Sequence, residues 1–265
     1  NSVPKLVVVL VGNNPASISY VKAKERACEK VGILCHVERL EENVSEGELI
    51  KYIYDLNLDS ETHGMIVQLP LPKGLDEEKI IQSISPIKDV DGLSNENLGL
   101  LASGNPRFVP ATPLGVQVLL HEINAKTEGS NIVIIGRSKL VGIPLALLLS
   151  SKSDLGNASV TICHSKSKNI KAHTIKADIV VVATGFPHTL TADMVRKDSV
   201  VIDVGVNRIE DKSKKNGYRL IGDCDFEEIY EIASKITPVP GGVGPMTIAM
   251  LLKNVTKAFL LNVKK

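Results

Sequence analysis

IVIIGRSKLVGIPLALLL, residues 132–149, decides the fold. The apolar run 132–135 reads as a strand buried on both faces. Gly136 follows at once, and then come Gly142, Pro144 and a second apolar run that suits a helix. Strand, tight glycine turn and helix N-terminus together form the geometry that receives a dinucleotide pyrophosphate. Pro144 fits the first helical turn, where its missing N–H costs nothing. The usual fingerprint has a second glycine two residues after the first, and Ser138 stands there instead. An ordinary βα turn of a parallel sheet is therefore the competing reading.

Outward from this stretch the chain alternates strands and helices. Downstream, strands are expected at Ser159–Cys163, 178–183, 199–204 and Tyr218–Ile221, with short helices at 191–196 and 226–233 and a short helix or loop at 169–177. Residues 208–217 read as a polar, solvated loop. TPVPGGVGP, residues 237–245, holds three prolines and three glycines and reads as a fixed, specially shaped loop. A last apolar-striped helix over 247–262 follows the close of this unit and is expected to pack back on the first.

Upstream, 6–11 reads as a central parallel strand ending at Gly12, and Asn13-Asn14-Pro15 as a turn. A helix over 20–31 is capped by Ser17 or Ser19 and stopped by Gly32. Strands at Leu34–Leu40 and 64–69 flank a helix over 45–58, where Ser45 and Glu48 form a capping box. Shorter helices are expected at 76–84 and 95–101, and a longer one at 112–123 opened by Thr112-Pro113. The reading is two α/β domains with mostly parallel sheets, the second a Rossmann-type dinucleotide-binding domain. Residues 1–117 plus 245–265 form the first and 118–244 the second.

With 265 residues, each domain can build a core. The formal charge is +1, which argues against nucleic acid and lipid surfaces as partners. Trp is absent and aromatics make up 3%, too few for a base-stacking platform. Cys28, Cys35, Cys163 and Cys224 show no metal-site spacing and no disulfide framework. No transmembrane run and no signal peptide is visible, so a cytoplasmic protein without membrane contact is expected.

Tyr20 and Lys24 stand four residues apart and share a helix face at the carboxyl end of the first strand, where α/β sheets place ligands. A tyrosine can stack a flat ring, and a lysine in a dry cleft can move protons near neutrality. Lys22, Arg26 and Lys30 lie on the same helix, so a solvated face is the plainer alternative. Gln68 is unexpected in an apolar strand. It either bonds a lysine amine or a polar ring, or faces water at a sheet edge. Asp89 and Asp91 flank Val90 and point opposite ways if extended, so one can face a cleft while the other makes a turn. No histidine stands at ligand spacing, and no metal is expected. The strand ending at Cys163 runs into His164-Ser165-Lys166-Ser167-Lys168, without the acid that bonds the adenosine ribose in NAD sites. With Arg137 nearby, hydroxyls and cations suit a ribose 2′-phosphate, favouring NADP over NAD. Thr184-Gly185 and Gly205-Val206-Asn207 end the next two strands and can line the nicotinamide end.

These residues carry a resemblance over nearly the whole chain. YVKAK (20–24), VQLPLP (67–72), DVDG (89–92), GRSKLVG (136–142), ATG (183–185), VIDVGVNR (201–208) and PGGVGPMT (240–247) stand in an order similar to the methylenetetrahydrofolate dehydrogenase/cyclohydrolase family. The resemblance implies oxidation of 5,10-methylenetetrahydrofolate with NADP+, then hydrolysis of the methenyl cation to 10-formyltetrahydrofolate. It places the chain in one-carbon metabolism and purine biosynthesis. It makes Lys24 the acid/base residue of the hydrolytic step, held and tuned by Gln68, with Tyr20 stacking the aminobenzoyl ring and Asp91 bonding the pterin. The folate side takes in Tyr20, Val21, Lys22, Ala23 and Lys24, Val67, Gln68 and Leu69, Asp91, and the loop Pro240, Gly241, Gly242, Val243 and Gly244. The coenzyme side takes in Thr112, Gly136, Arg137 and Ser138 at the phosphates, Ser165 near the 2′-phosphate, and Thr184, Gly185 and Val206 toward the nicotinamide. Members of the family place the cleft between the two domains and commonly form homodimers through the coenzyme domain.

Two departures stand out. Members usually begin with a further helix before the strand at 6–11, so the chain as given reads as truncated or short, with stability affected more than chemistry. Ala111-Thr112-Pro113-Leu114 stands where Cys-Thr-Pro-Lys is frequent, and reads as tolerated. The alternatives are a monofunctional NAD(P)-dependent methylenetetrahydrofolate dehydrogenase, a two-domain amino-acid or shikimate-type dehydrogenase, and a ligand-binding protein with a degenerate nucleotide unit.

Overall fold

A computed structural model describes residues 3–214 and 217–263. Two compact units result, Asn1–Ala111 with Ile248–Lys265, and Thr112–Thr247. The sequence places the divisions at 117/118 and 244/245. The compact units part instead at 111/112 and 247/248, within helices rather than at loops.

The first unit opens with β1 (Lys5–Val11), α1 (Pro15–Val31), β2 (Leu34–Leu40), α2 (Glu46–Leu58), β3 (Gly64–Val67), α3 (Glu77–Gln82) and α4 (Asn95–Ala102). Its strands pair in the order β2-β1-β3, all parallel. β1 is central, and its alternate side chains enter two cores. Leu6, Val8 and Leu10 meet Val21 and Cys28 of α1. Val7, Val9 and Val11 meet Leu49 and Ile53 of α2 and Ile80 of α3. That two-sided burial is why the strand reads as an unbroken apolar run.

Helix α1 starts earlier than the sequence suggests. Asn14, not Ser17 or Ser19, is its cap, accepting the N–H of Ala16 at 2.9 Å and of Ser17 at 3.2 Å. Pro15 occupies the first helical position and Ser17 is buried inside the first turn. Gly32 ends α1 in the left-handed region at φ 74°, as expected. The Ser45–Glu48 capping box opens α2.

Helix α5 (Ala111–Glu122) begins one residue before the expected cap and carries the chain into the second unit. There follow β4 (Asn131–Ile135), α6 (Gly142–Ser150), β5 (Ser159–Cys163), α7 (Ile170–Thr174), β6 (Ile179–Val182), β7 (Val200–Asp203), β8 (Asn207–Glu210), β9 (Tyr218–Ile221), α8 (Phe226–Tyr230), β10 (Lys235–Ile236) and α9 (Val243–Val263). Five strands pair in parallel in the order β10-β7-β6-β4-β5. The chain leaves β4 toward β5, then crosses back to β6. The gap between the carboxyl ends of β4 and β6 is therefore the topological switch point, where α/β sheets bind ligands.

Two expectations are corrected here. Residues 208–217 are not all loop, because β8 pairs antiparallel with β9. Its one apolar residue, Ile209, sits between Arg208 and Glu210, too little to announce a strand. The Arg208 guanidinium lies 3.6 Å from the centroid of the Tyr218 ring, a cross-strand cation–π contact. Lys215 and Asn216 of that expected loop lie outside the described residues. The final helix begins at Val243, not residue 247, so Val243 and Gly244 are its first turn rather than loop. Its later part does pack on the first unit, as expected: Leu251, Leu252, Val255 and Ala258 share a core with Leu6, Val8 and Leu10.

Candidate functional site

The expected residues gather into two clusters, one in each unit. In the first, only three residues separate the end of β1 from the start of α1, which sets its opening turns at the carboxyl edge of the sheet. Val21 and Cys28 anchor α1 in the core, and Lys24 falls between them on the helix, half-buried. Its Nζ donates to Gln68 Oε1 at 2.8 Å. Gln68 is fixed in turn, since its Nε2 donates to Leu69 O at 2.7 Å and its backbone N–H to Val9 O at 2.9 Å. The out-of-place glutamine thus bonds the lysine amine, and the water-facing alternative falls away.

Burial pushes the Lys24 pKa below the ordinary lysine range, and the Asp91 carboxylate opposes that shift. Burial pushes the Asp91 carboxyl up, Lys24 pulls it down, and Asp89 pushes it further up. Lysine and carboxylate therefore face each other in a partly dry setting. Tyr20, one turn before Lys24, is 40% exposed, leaving its ring open to a flat ligand. Burial raises its phenol as well. Lys22 faces solvent and Ala23 is half-buried. Val67 is 6% exposed and belongs to the core beneath the sheet, so only its backbone is on the Gln68 side.

The two aspartates divide as alternation suggests. Asp89 is buried and serves the scaffold, accepting Leu93 N–H at 3.2 Å, Ser94 N–H at 2.8 Å and Asn97 Nδ2 at 2.9 Å. Asp91 is the one left to face Lys24.

The second cluster lies along the carboxyl edge of the five-stranded sheet. Gly136 follows β4 with φ 131°, and a Cβ there would stand 2.3 Å from Ala183 O. A Cβ on Gly142 would stand 2.1 Å from Gly136 O. The loop thus needs glycine at both ends, and Gly142 supplies the close helix approach that the fingerprint assigns to its later glycines. Ser138 closes the turn: its Oγ accepts Val141 N–H at 3.1 Å and its carbonyl accepts Ile143 N–H at 3.1 Å. Arg137 is exposed. Ile135 and Cys163 are register partners, so Arg137 and Ser165 each lie two residues beyond one paired position. Ser165, Lys166 and Lys168 are exposed. His164 is absorbed by its loop, its Nδ1 accepting Lys166 N–H at 3.2 Å. Thr112 Oγ1 lies 3.0 Å from Thr247 Oγ1, a clasp between the starts of α5 and α9.

Sequence reasoning missed what builds the neighbouring loops. Asp203 closes β7 and Asp223 follows β9, both fully buried. Asp203 Oδ1 accepts Gly205 N–H at 3.0 Å and Asp223 N–H at 2.9 Å, and its Oδ2 accepts Cys224 N–H at 2.9 Å. Asp223 Oδ2 accepts Thr184 N–H at 2.7 Å and Gly185 N–H at 2.9 Å, and its Oδ1 accepts Asn207 Nδ2 at 2.8 Å. Thr184 and Gly185 therefore turn their N–H groups inward. Val206 is 41% exposed at the same edge. An available signal was the pairing of each acid with a close glycine, Gly205 and Gly222, whose added Cβ would strike the opposite carboxylate. Pro240 and Gly241 are exposed; Gly242 N–H donates to Pro238 O at 3.0 Å, and Val243 is buried.

Among the described residues no group of three or more histidine, cysteine, aspartate or glutamate side chains is placed to hold a metal ion. No described helix is long and apolar enough to cross a membrane.

Known proteins resemble this chain in sequence and fold. Residues 1–91 match the tetrahydrofolate dehydrogenase/cyclohydrolase catalytic domain, and residues 110–263 match the tetrahydrofolate dehydrogenase/cyclohydrolase NAD(P)-binding domain. The bifunctional protein FolD of Pelodictyon phaeoclathratiforme is 50% identical over 259 residues, 97% of this chain and 88% of that protein. The crystal structure of FolD methylenetetrahydrofolate dehydrogenase/cyclohydrolase from Campylobacter jejuni superposes with TM-score 0.89 at 46% identity, covering 97% of this chain and 89% of that one. The Trypanosoma brucei enzyme, solved with NADP and an inhibitor, superposes with TM-score 0.93 at 36% identity over 99% of this chain and 88% of its own. The chain belongs to the tetrahydrofolate dehydrogenase/cyclohydrolase family.

Proposed function

We propose that this chain oxidises 5,10-methylenetetrahydrofolate with NADP+ and hydrolyses the resulting methenyl cation to 10-formyltetrahydrofolate. The observation that carries the reading is the Lys24 amine, held at 2.8 Å by Gln68 and depressed in proton affinity by burial beside Asp91. An amine so placed takes a proton from water attacking the methenyl carbon and returns one to the ring nitrogen as the carbon–nitrogen bond breaks. Gln68 aims the amine without adding charge. Asp91, whose carboxyl is pushed up by burial and pulled down by Lys24, offers its oxygens to a pterin edge. Tyr20 offers its exposed ring to the aminobenzoyl group.

The coenzyme edge fits a phosphorylated dinucleotide. The cradle at Gly136 and Gly142 admits only hydrogen at either α-carbon, which is what close approach of a pyrophosphate needs. Arg137, Ser165, Lys166 and Lys168 supply cations and a hydroxyl for the extra phosphate. When bound, the nicotinamide supplies the hydride acceptor. The chain's own task is to hold that ring near Thr184, Gly185 and Val206. Homodimer formation through the coenzyme domain and a cytoplasmic setting are further parts of the proposal, supported by the family resemblance.

The test is a pair of assays with both coenzymes. The wild-type chain reduces NADP+ in preference to NAD+ and accelerates the decay of methenyltetrahydrofolate absorbance. Lys24→Met brings that decay to the uncatalysed background. Unchanged decay would remove Lys24 from the chemistry, and a wild-type chain without hydrolysis would favour the monofunctional dehydrogenase.

A further inference from the structure

Asp91 sits on a loop outside any helix or longer strand, which Asp89 braces from within and neighbouring segments hold from without. Three contacts converge there. The peptide before Asp91 presents Val90 O, which accepts Asn254 Nδ2 of α9 at 2.9 Å. The same Nδ2 donates to Val109 O, also at 2.9 Å. The residue after Asp91, Gly92, has φ 71° and lies so close to the 109–110 segment that an added Cβ would stand 3.0 Å from Pro110 N. Val90 itself is fully buried, with its side chain pressed on Gly64 of β3.

Asn254 is 4% exposed and stands 164 residues from Val90 in sequence. Its amide satisfies two carbonyls that otherwise face an apolar helix without a donor. One side chain thus ties the loop bearing Asp91 to the 109–110 segment and to the helix that returns from the far end of the chain.

We propose that Asn254 is the positioning residue for Asp91, and through it sets both folate affinity and the charge seen by Lys24. The inference rests on the folate reading of the Lys24 site. Lys24 is faced by Asp91 from this loop, by Gln68 from the end of β3, by Cys28 from its own helix and by Cys35 from β2. Of these only Asp91 depends on Asn254.

The experiment compares wild type, Asn254→Ala, Asp91→Ala and the double variant, with Asn254→Ser retaining a single donor. The Asn254→Ala KM for methylenetetrahydrofolate is expected to rise about 10–100-fold, the penalty of displacing a binding group by about 1 Å. The KM for NADP+ should hold within about twofold, and the Ser variant should fall between wild type and Ala. In the Asp91→Ala background the Asn254 change should add nothing to the folate KM, because its target is gone. The pH limb of methenyl hydrolysis should move down in Asn254→Ala, since the carboxylate that raises the Lys24 proton affinity has drifted off. A folate KM that stays level, or that multiplies with the Asp91 effect, would overturn the proposal, as would an unmoved pH limb. If Ala does not fold, the Ser variant carries the same comparisons. A wild-type chain that does not turn over methylenetetrahydrofolate overturns the functional reading and this inference together; turnover with an inert Asn254 overturns only the inference.

Discussion

Gln68→Glu bears directly on the proton chemistry, because it swaps an amide for a carboxylate of nearly the same shape, giving up only the amide's bond to Leu69 O. Gln68 Oε1 accepts from Lys24 Nζ at 2.8 Å, so a carboxylate in its place puts a full negative charge in contact with the amine. An opposite charge at such range raises an amine's proton affinity by about 1–3 pH units. In the wild type, burial works in the other direction and lowers it. If hydrolysis needs the neutral amine, its rate climbs as pH rises through the Lys24 titration. Gln68→Glu moves that climb up by about 1–3 pH units. Below the limb the neutral fraction falls about tenfold per pH unit, so at any pH below both limbs hydrolysis drops by roughly 10–1000-fold. Hydride transfer depends on alignment rather than on this proton, so dehydrogenase kcat should stay within about threefold. The assay is methenyltetrahydrofolate decay against pH, with NADPH formation measured on the same preparations. A hydrolytic limb that stays in place or moves down, or two activities that fall together, would refute the reasoning.

Two further substitutions test the second unit. Arg137→Ala should raise the KM for NADP+ by about tenfold, the loss of one charge-assisted contact, while leaving that for NAD+ nearly level; equal changes would remove the 2′-phosphate argument. Asp223→Asn replaces an acceptor-only group facing Thr184 N–H, Gly185 N–H and the Asn207 amide, and should cost about 2–5 kcal/mol of stability by denaturant melt, because buried donors lose their acceptor. A melt unchanged within error would show that those loops do not rest on the carboxylate.

The fold was legible where burial is two-sided or where a cap has a chemical signature. β1, β4 and β6 announce themselves as apolar runs because each is covered on both faces. The start of α2 was readable from Ser45 and Glu48 alone. The start of α1 was not, because Asn14 followed by Pro15 signals a turn and a helix N-terminus equally well. β8 was hidden by its charges and by a stabilising contact, Arg208 on Tyr218, that exists only once the hairpin has formed. In the candidate site, Lys24 and Gln68 were each ambiguous alone, and only their 2.8 Å bond makes them a unit. Asn254 was illegible for a different reason. On an apolar-striped helix an asparagine looks like a surface interruption, and its two carbonyl partners lie more than a hundred residues away.

The coenzyme preference turns on where this unit keeps its acids. An NAD-selecting site ends its second strand with a carboxylate that bonds the ribose hydroxyls. The second strand here is β5, and residues 164–168 beyond it carry hydroxyls, a histidine and two lysines. Carboxylates do occur at strand ends in this unit, but Asp203 and Asp223 are buried and spend their oxygens on the N–H groups of adjoining loops. Their charge is answered by backbone dipoles inside the edge rather than displayed along it. The corner past the Ile135–Cys163 pair is left to Arg137, Ser165, Lys166 and Lys168. A bare ribose finds no carboxylate there, whereas a phosphate finds cations. On the proposed reading the two features act together: the buried acids brace the loops at 184–185 and 205–207, and the corner at Arg137 and Ser165, free of carboxylates, suits a phosphorylated carrier.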